Sequence, residues 1–159
     1  MENAIRIRRA TRGDREHLIR FNEGLAAETE DTKLSRPLLS AGVDAVFDDP
    51  AKGFYVVADI EDRCIGGLLV TTEWSDWRNA YFWWIQSVYV DPHHRKKGVY
   101  SRLHQHLVQE ARACGDVFGV RLYVDRENNR ARRTYERLGM LPARYDLYEA
   151  DIGENTAED

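Results

Sequence analysis

Cysteine is scarce in this chain of 159 residues, which contains only Cys64 and Cys114. The two are far apart and form no Cys-x-x-Cys pair, so the sequence indicates neither a disulfide framework nor a structural zinc site. Long apolar runs are also missing: no stretch approaches the length of a membrane span, and the N-terminal residues lack the apolar core of a signal peptide. We therefore expect a cytoplasmic protein with no membrane contact.

The chain also has no excess of positive charge, because its formal net charge at pH 7 is −4. An acidic chain is a poor bulk partner for nucleic acid, so no nucleic-acid partner is expected. With 43% apolar and 31% charged residues, the composition is that of an ordinary soluble domain with a real core. We predict a single domain over residues 1–152, followed by a disordered acidic tail at residues 153–159.

Apolar residues recur with strand periodicity in some segments and with helix periodicity in others. The predicted strands are residues 4–11, 53–60, 64–74, 80–90, 119–125 and 143–151. A first helix is predicted through Leu18, Phe21 and Leu25, and three more helices are predicted near residues 35–49, 100–113 and 128–139. Short loops join the second, third and fourth strands into an antiparallel meander. The predicted fold class is α/β (α+β): a mixed, mainly antiparallel six- to seven-stranded sheet flanked by about four helices, with one parallel strand-helix-strand crossover.

Three cations and a glycine, Arg95, Lys96, Lys97 and Gly98, occupy the turn of that crossover. The backbone N–H groups at a helix start have no intrahelical acceptors and the positive end of the helix dipole lies there, so phosphate binds readily. Glycine lets the backbone approach the phosphate closely, and the cations add charge. Alone, such a turn is more often a solvated loop, so the interpretation needs support from elsewhere in the chain.

A second motif follows about thirty residues later, in the predicted last helix. Asn128, Ala131, Tyr135 and Gly139 match the pattern Asn-x-x-Ala-x-x-x-Tyr-x-x-x-Gly. Together with the basic turn, which is similar to the pattern Gln/Arg-x-x-Gly-x-Gly/Ala, this segment resembles the GNAT superfamily of N-acetyltransferases. The resemblance covers residues 4–150, and the predicted order of strands and helices agrees with that family.

The resemblance implies acetyl-CoA as the co-substrate and assigns residues to it. Backbone amides of the basic turn would hold the pyrophosphate, and the preceding strand would pair with the pantetheine arm. The residues implied to bind acetyl-CoA are Val88, Tyr89, Val90, Arg95, Lys96, Lys97, Gly98, Val99, Tyr100, Ser101 and Asn128. Tyr135 matches the phenol near the thioester sulfur, where it would protonate the departing CoA thiolate.

Tyr100 departs from the family pattern, which has glycine or alanine at this place. A bulky side chain there must point away from the pyrophosphate. We expect the ring to pack into the helix stripe with Leu103 and Leu107, leaving the backbone amide available to the phosphate.

The implied reaction is direct transfer of the acetyl group to a primary amine of a small molecule or a peptide. The amine must lose a proton before it attacks, and the sequence names no base. Gln86 stands where many relatives place an acid; it could orient the amine or a water. Glu73 and Asp76 are candidate bases, although each is more often a solvated turn carboxylate.

Further residues are candidates for the acceptor side. Trp83 and Trp84 face opposite sides of their strand, so one belongs to the core and the other lines an acceptor pocket or a homodimer surface. We take Trp84 as the substrate contact, together with Gln86 and with Glu28, whose acidic segment would suit a cationic amine.

The histidines predict no metal site, because His93 and His94 are adjacent in a loop while His104 and His106 face differently on a helix. Two non-catalytic alternatives stay open: an acyl-CoA-binding sensor without activity, and an interaction module that binds phosphate without CoA.

Overall fold

The computed structural model describes residues 4–153. Five strands form one sheet in the order of the chain: β1 (Arg6–Arg9), β2 (Phe54–Ile60), β3 (Arg63–Ser75), β4 (Ala80–Val90) and β5 (Val117–Leu122). The first four are antiparallel neighbours, and β5 is parallel to β4. The predicted meander and the parallel crossover are both confirmed.

Four α-helices surround the sheet: α1 (Arg15–Glu30), α2 (Arg36–Asp48), α3 (Val99–Cys114) and α4 (Asn129–Arg137). The helix predicted near residues 35–49 is confirmed, with Pro37 in its first turn, where the missing N–H costs no helical hydrogen bond. The fold class is therefore the predicted mixed α/β arrangement.

The sheet has five strands within residues 4–153, fewer than the six to seven predicted. Residues 143–151, predicted as the last strand, form no strand in the described structure. Alternation of side chains makes a segment suitable for a sheet, but it becomes a strand only where a neighbouring edge accepts its hydrogen bonds. Of the predicted acidic tail, residues 154–159 lie outside the described residues.

Each face of the sheet has its own core. On one face α3 packs against the strands and buries eleven residues: Val56, Ala58, Ile65, Leu68, Val70, Trp83, Ile85, Val99, Leu103, Leu107 and Ala111. On the other, α1 and α2 cover a smaller cluster: Leu18, Ile19, Val43, Tyr55, Val57 and Cys64. The alternation along β4 puts Trp83, 5% exposed, in the first core, while Trp84 is half-buried on the opposite face.

An ion-pair network ties β1 to its neighbours. Arg8 donates to Asp14, just before α1, at 2.8 Å and to Asp59, on β2, at 2.7 Å. Both carboxylates are almost fully buried. The hydrogen bond from Arg8 is the main cause that lowers the pKa of Asp14.

No helix in the described part of the chain is long and apolar enough to cross a bilayer.

Candidate active site

The parallel strands β4 and β5 separate beyond Ile85 and Leu122, the last pair in their register. β4 continues to Val90, and Ser87 adopts a left-handed φ of 51° in the irregular part of its pairing with β3. A cleft of about 730 Å³ opens here, lined by the end of β4 and by the starts of α3 and α4. Leu25 and Glu28 of α1 line it too, so the cleft has walls from helices on both faces of the sheet.

The basic turn leads into α3 with two residues in left-handed conformation, Lys96 (φ 62°) and Gly98 (φ 76°). Gly98 is the residue that caps the helix N-terminus. A Cβ built on Gly98 would meet no atom within 4 Å, so glycine serves the backbone conformation here and leaves open space beside the amides. A turn that presents successive N–H groups in this way, at a helix start, forms a concave site for an anion.

Arg95 does not extend into the cleft as a free cation. Its Nε donates to the Val90 carbonyl oxygen at 2.8 Å, and its Nη2 donates to Glu28 at 2.8 Å. Arg95 therefore ties the turn to β4 and α1. Glu28 lies at the cleft with its charge balanced by Arg95, so the prediction that it binds a cationic amine would require this pair to open.

Two tyrosines form the wall of the cleft opposite β4. Tyr135 of α4 packs edge-on against Tyr100 of α3, with ring centroids 5.6 Å apart. Tyr100 also contacts His104, at 6.1 Å between centroids. Its ring thus lies beside Tyr135 and not with Leu103 and Leu107 as expected. The reason is helical phase: residues 99, 103 and 107 share the core face, and residue 100 is turned about 100° away from it, as follows from 3.6 residues per turn.

Burial changes the acidity of both phenols. Desolvation raises the pKa of Tyr135 further above neutral pH, where an ordinary tyrosine already carries its proton. Desolvation and the neighbouring Tyr135 also raise the pKa of Tyr100. The Tyr100 hydroxyl is buried and has no hydrogen-bond partner among the described residues.

Asn128 lines the cleft, where it has a local structural role. Its Oδ1 accepts a hydrogen bond from the Ala131 backbone N–H at 3.1 Å, which caps the N-terminus of α4. The side-chain Nδ2, with its two N–H donors, is available to a ligand.

Three cations of α4, Arg130, Arg133 and Arg137, line the cleft and were missed by the sequence interpretation. Their spacing of three and four residues is the signal that puts them on one helix face. With Arg95 and Lys96 they make the cleft strongly positive, and Glu28 is the one carboxylate among the described lining residues. Such a cleft suits a ligand that carries several negative charges.

Two of the three residues predicted for the acceptor side, Trp84 and Gln86, do not line this cleft, whereas the third, Glu28, does. Gln86 donates from Nε2 to Thr71 Oγ1 at 2.6 Å. Trp84 donates from Nε1 to Glu73 at 3.0 Å, and Glu73 also pairs with Arg121 at 3.2 Å. They form a polar cluster on β3, β4 and β5, on the sheet face opposite α3.

The candidate bases are placed differently from each other. Glu73 is engaged by Trp84 and Arg121, and Asp76 is exposed in the turn between β3 and β4. Within residues 4–153 no group of three or more His, Cys, Asp or Glu side chains is arranged to hold a metal ion.

The chain is similar to known acetyltransferases in sequence and in fold. A profile of the acetyltransferase (GNAT) family matches residues 19–140. A solved structure from Clostridium difficile 630, described as a possible acetyltransferase, is 40% identical, with 94% of this chain and 99% of that chain covered and a TM-score of 0.89.

More distant structures share the fold. A ribosomal-protein-alanine N-acetyltransferase from Brucella melitensis biovar Abortus 2308 is 17% identical, with 94% and 100% of the two chains covered and a TM-score of 0.75. A glucosamine-6-phosphate N-acetyltransferase from Arabidopsis thaliana is 18% identical, with 92% and 98% covered and a TM-score of 0.71. The acceptors in these two names differ, so the fold alone does not select an acceptor.

Proposed function

Because the chain belongs to the GNAT acetyltransferase family, we propose that it transfers an acetyl group from acetyl-CoA to a primary amine of a small molecule or a peptide. Membership in the family supports acyl transfer; the thioester donor, the amine acceptor and a cytoplasmic location are parts of the proposal. The observation that carries it is the cleft, where a left-handed basic turn, a positive helix face and a half-buried phenol meet between separating strands.

The residues of the cleft fit acetyl-CoA, which would supply the activated acetyl thioester. Backbone amides of residues 96–98 and the start of α3 would bind the pyrophosphate, with Lys96 and the α4 arginines adding charge. The side of β4 that β5 leaves beyond Ile85 offers backbone groups to the pantetheine arm, much as a neighbouring strand would.

Tyr135 would act as the general acid. The phenol is protonated at neutral pH, so it could donate its proton to the sulfur as the thiolate departs. The attacking amine would bind from the α1 side, and its proton would leave through water or through Glu28 after the pair with Arg95 opens. The two structures with named acceptors suggest an alanine amine of a protein and an amino sugar phosphate as first candidates.

The decisive experiment measures release of free CoA thiol from acetyl-CoA across a panel of amines that includes these two classes. Amine-dependent release is the expected result. Saturable acetyl-CoA binding without release for any amine would favour the non-catalytic sensor, and absence of acetyl-CoA binding would reject the proposal.

A further inference from the structure

Three arginines of α4, which we call the α4 stripe, follow one edge of the cleft: Arg130, Arg133 and Arg137. At 3.6 residues per turn they lie within about 60° of one another around the helix. The other α4 residues that line the cleft continue this arc, through Thr134, to Tyr135. The three arginines are exposed, whereas Thr134 and Tyr135 are half-buried. The α4 stripe is therefore the outer edge of this wall, and Tyr135 is its inner end.

The charge of the α4 stripe is not balanced by carboxylates. Among the ion pairs of residues 4–153, Arg95 of the cleft pairs with Glu28, but no pair includes an arginine of the stripe. Arg137 donates from Nη2 to the hydroxyl of Thr134 at 3.2 Å, and that acceptor is neutral. Like charges three and four residues apart destabilise a helix. An anion bound by several of these arginines together would relieve that repulsion.

Acetyl-CoA carries phosphate in two places. The pyrophosphate follows the pantetheine arm, and a separate phosphate monoester is attached to the 3′ oxygen of the ribose, further from the thioester. If the thioester lies at Tyr135 and backbone amides of residues 96–98 bind the pyrophosphate, the 3′-phosphate is the anionic group left for the outer edge. A phosphate monoester carries about 1.5 to 2 negative charges near pH 7, and guanidinium groups bind its oxygens bidentately.

We propose that the α4 stripe binds the 3′-phosphate of the CoA moiety and so makes the chain specific for CoA over its 3′-dephospho form. Arg133 is the central residue, because it is three residues from Arg130 and four from Arg137 and can share one anion with either. This assignment rests on the proposed binding of acetyl-CoA. It gives the two phosphate groups different walls of the cleft: the turn before α3 for the pyrophosphate and α4 for the monoester.

The test measures binding and needs no acceptor amine. Isothermal titration calorimetry compares CoA with 3′-dephospho-CoA, which differ only in the monoester. The wild type should bind CoA at least about tenfold more tightly, the scale of one hydrogen bond between charged groups. Arg133→Gln should remove most of this preference by weakening the binding of CoA, while its affinity for 3′-dephospho-CoA stays close to that of the wild type.

Arg132→Gln is the matched control. It makes the same change of charge on the same helix, at a residue that is not among the described lining of the cleft. Arg132 donates from Nη1 to the carbonyl oxygen of Arg126 at 3.1 Å, so melting temperatures should accompany the titrations to show that both variants are folded. Arg132→Gln should keep the full preference for CoA.

Equal affinities of the wild type for the two ligands would overturn the inference and leave the proposed function in place. An equal loss for both ligands in Arg133→Gln would overturn it as well, since the stripe would then act on the pyrophosphate. Loss of the preference in Arg132→Gln to the same degree would mean a general effect of charge and would also overturn it. Failure of the wild type to bind either ligand would reject the proposed function, and this inference with it.

Discussion

Removing the hydroxyl oxygen of Tyr135 distinguishes a structural role of this residue from a chemical one. Tyr135→Phe keeps the ring and its contact with Tyr100, so stability should fall by no more than about 1 kcal/mol, the scale of one hydrogen bond. Turnover should fall roughly 100-fold or more if the phenol protonates the thiolate, while acetyl-CoA affinity changes little. The measurement is kcat from thiol release, with affinity measured separately.

Tyr100→Phe is the control for this substitution. It removes a buried hydroxyl that has no partner among the described residues, so stability should hold or rise slightly and turnover should stay near that of the wild type. Wild-type turnover in folded Tyr135→Phe would rule out the acid role. An equal loss in both variants would assign that role to the pair of phenols.

Gly98 tests the anion site at the start of α3. Gly98→Asp places a carboxylate in the open space beside the amides and should abolish the rise in melting temperature that the proposed binding of acetyl-CoA would produce. Gly115, at the other end of the same helix, is the matched control: its φ of 79° is close to the 76° of Gly98, and its Cβ direction is also open within 4 Å. Gly115→Asp carries the same backbone strain but should keep the shift. Loss of the shift in both would mean that strain, and not the site, explains the result.

At the scale of elements, Arg8 joins three segments of the fold, so its loss should lower stability. It joins β1 to the start of α1 and to β2 through two carboxylates, Asp14 and Asp59, that are 6% and 3% exposed. Arg8→Met would leave both charges buried without their shared partner and should lower the free energy of unfolding by roughly 2 to 3 kcal/mol, a little below the range for fully buried pairs because Arg8 is partly exposed. Arg12→Met, which breaks the exposed pair with Asp48, should cost about 1 kcal/mol or less.

The same network sets the response to acid. The pKa of Asp14 is lower in the folded chain than its ordinary value of 3.8, so its contribution is complete above that value and is lost as pH falls through the folded pKa. Denaturant unfolding at a series of pH values should show stability falling below about pH 4, with a shallower fall in Arg8→Met. An equally steep fall in that variant would show that other carboxylates dominate.

For the whole molecule, the sequence predicted the elements better than it predicted their partners. The meander and the crossover follow from short loops and periodicity, which are local properties. Residues 143–151 have a strand pattern, but pairing depends on an edge that local sequence does not describe.

The candidate site shows the same division. The basic turn was recognisable from its residues, and Tyr135 from the resemblance to the family pattern. The pairing of Arg95 with Glu28, and the contact of Tyr100 with Tyr135, depend on how α1, α3 and α4 approach each other. The spacing of the α4 arginines indicates that they share one helix face. Their position at the cleft depends on the packing of α4, which the spacing does not describe.

The cleft between β4 and β5 has walls on both faces of the sheet, since α1 lines one side and α3 and α4 line the other. Two reactants can therefore enter from opposite directions and be bound at once, without one leaving before the other arrives. Initial rates measured against both concentrations should give double-reciprocal lines that intersect, as for a ternary complex. Parallel lines would instead indicate an acetylated enzyme as an intermediate. Neither cysteine is well placed to carry the acetyl group, because Cys64 is buried beneath α1 and α2 and Cys114 lies at the far end of α3.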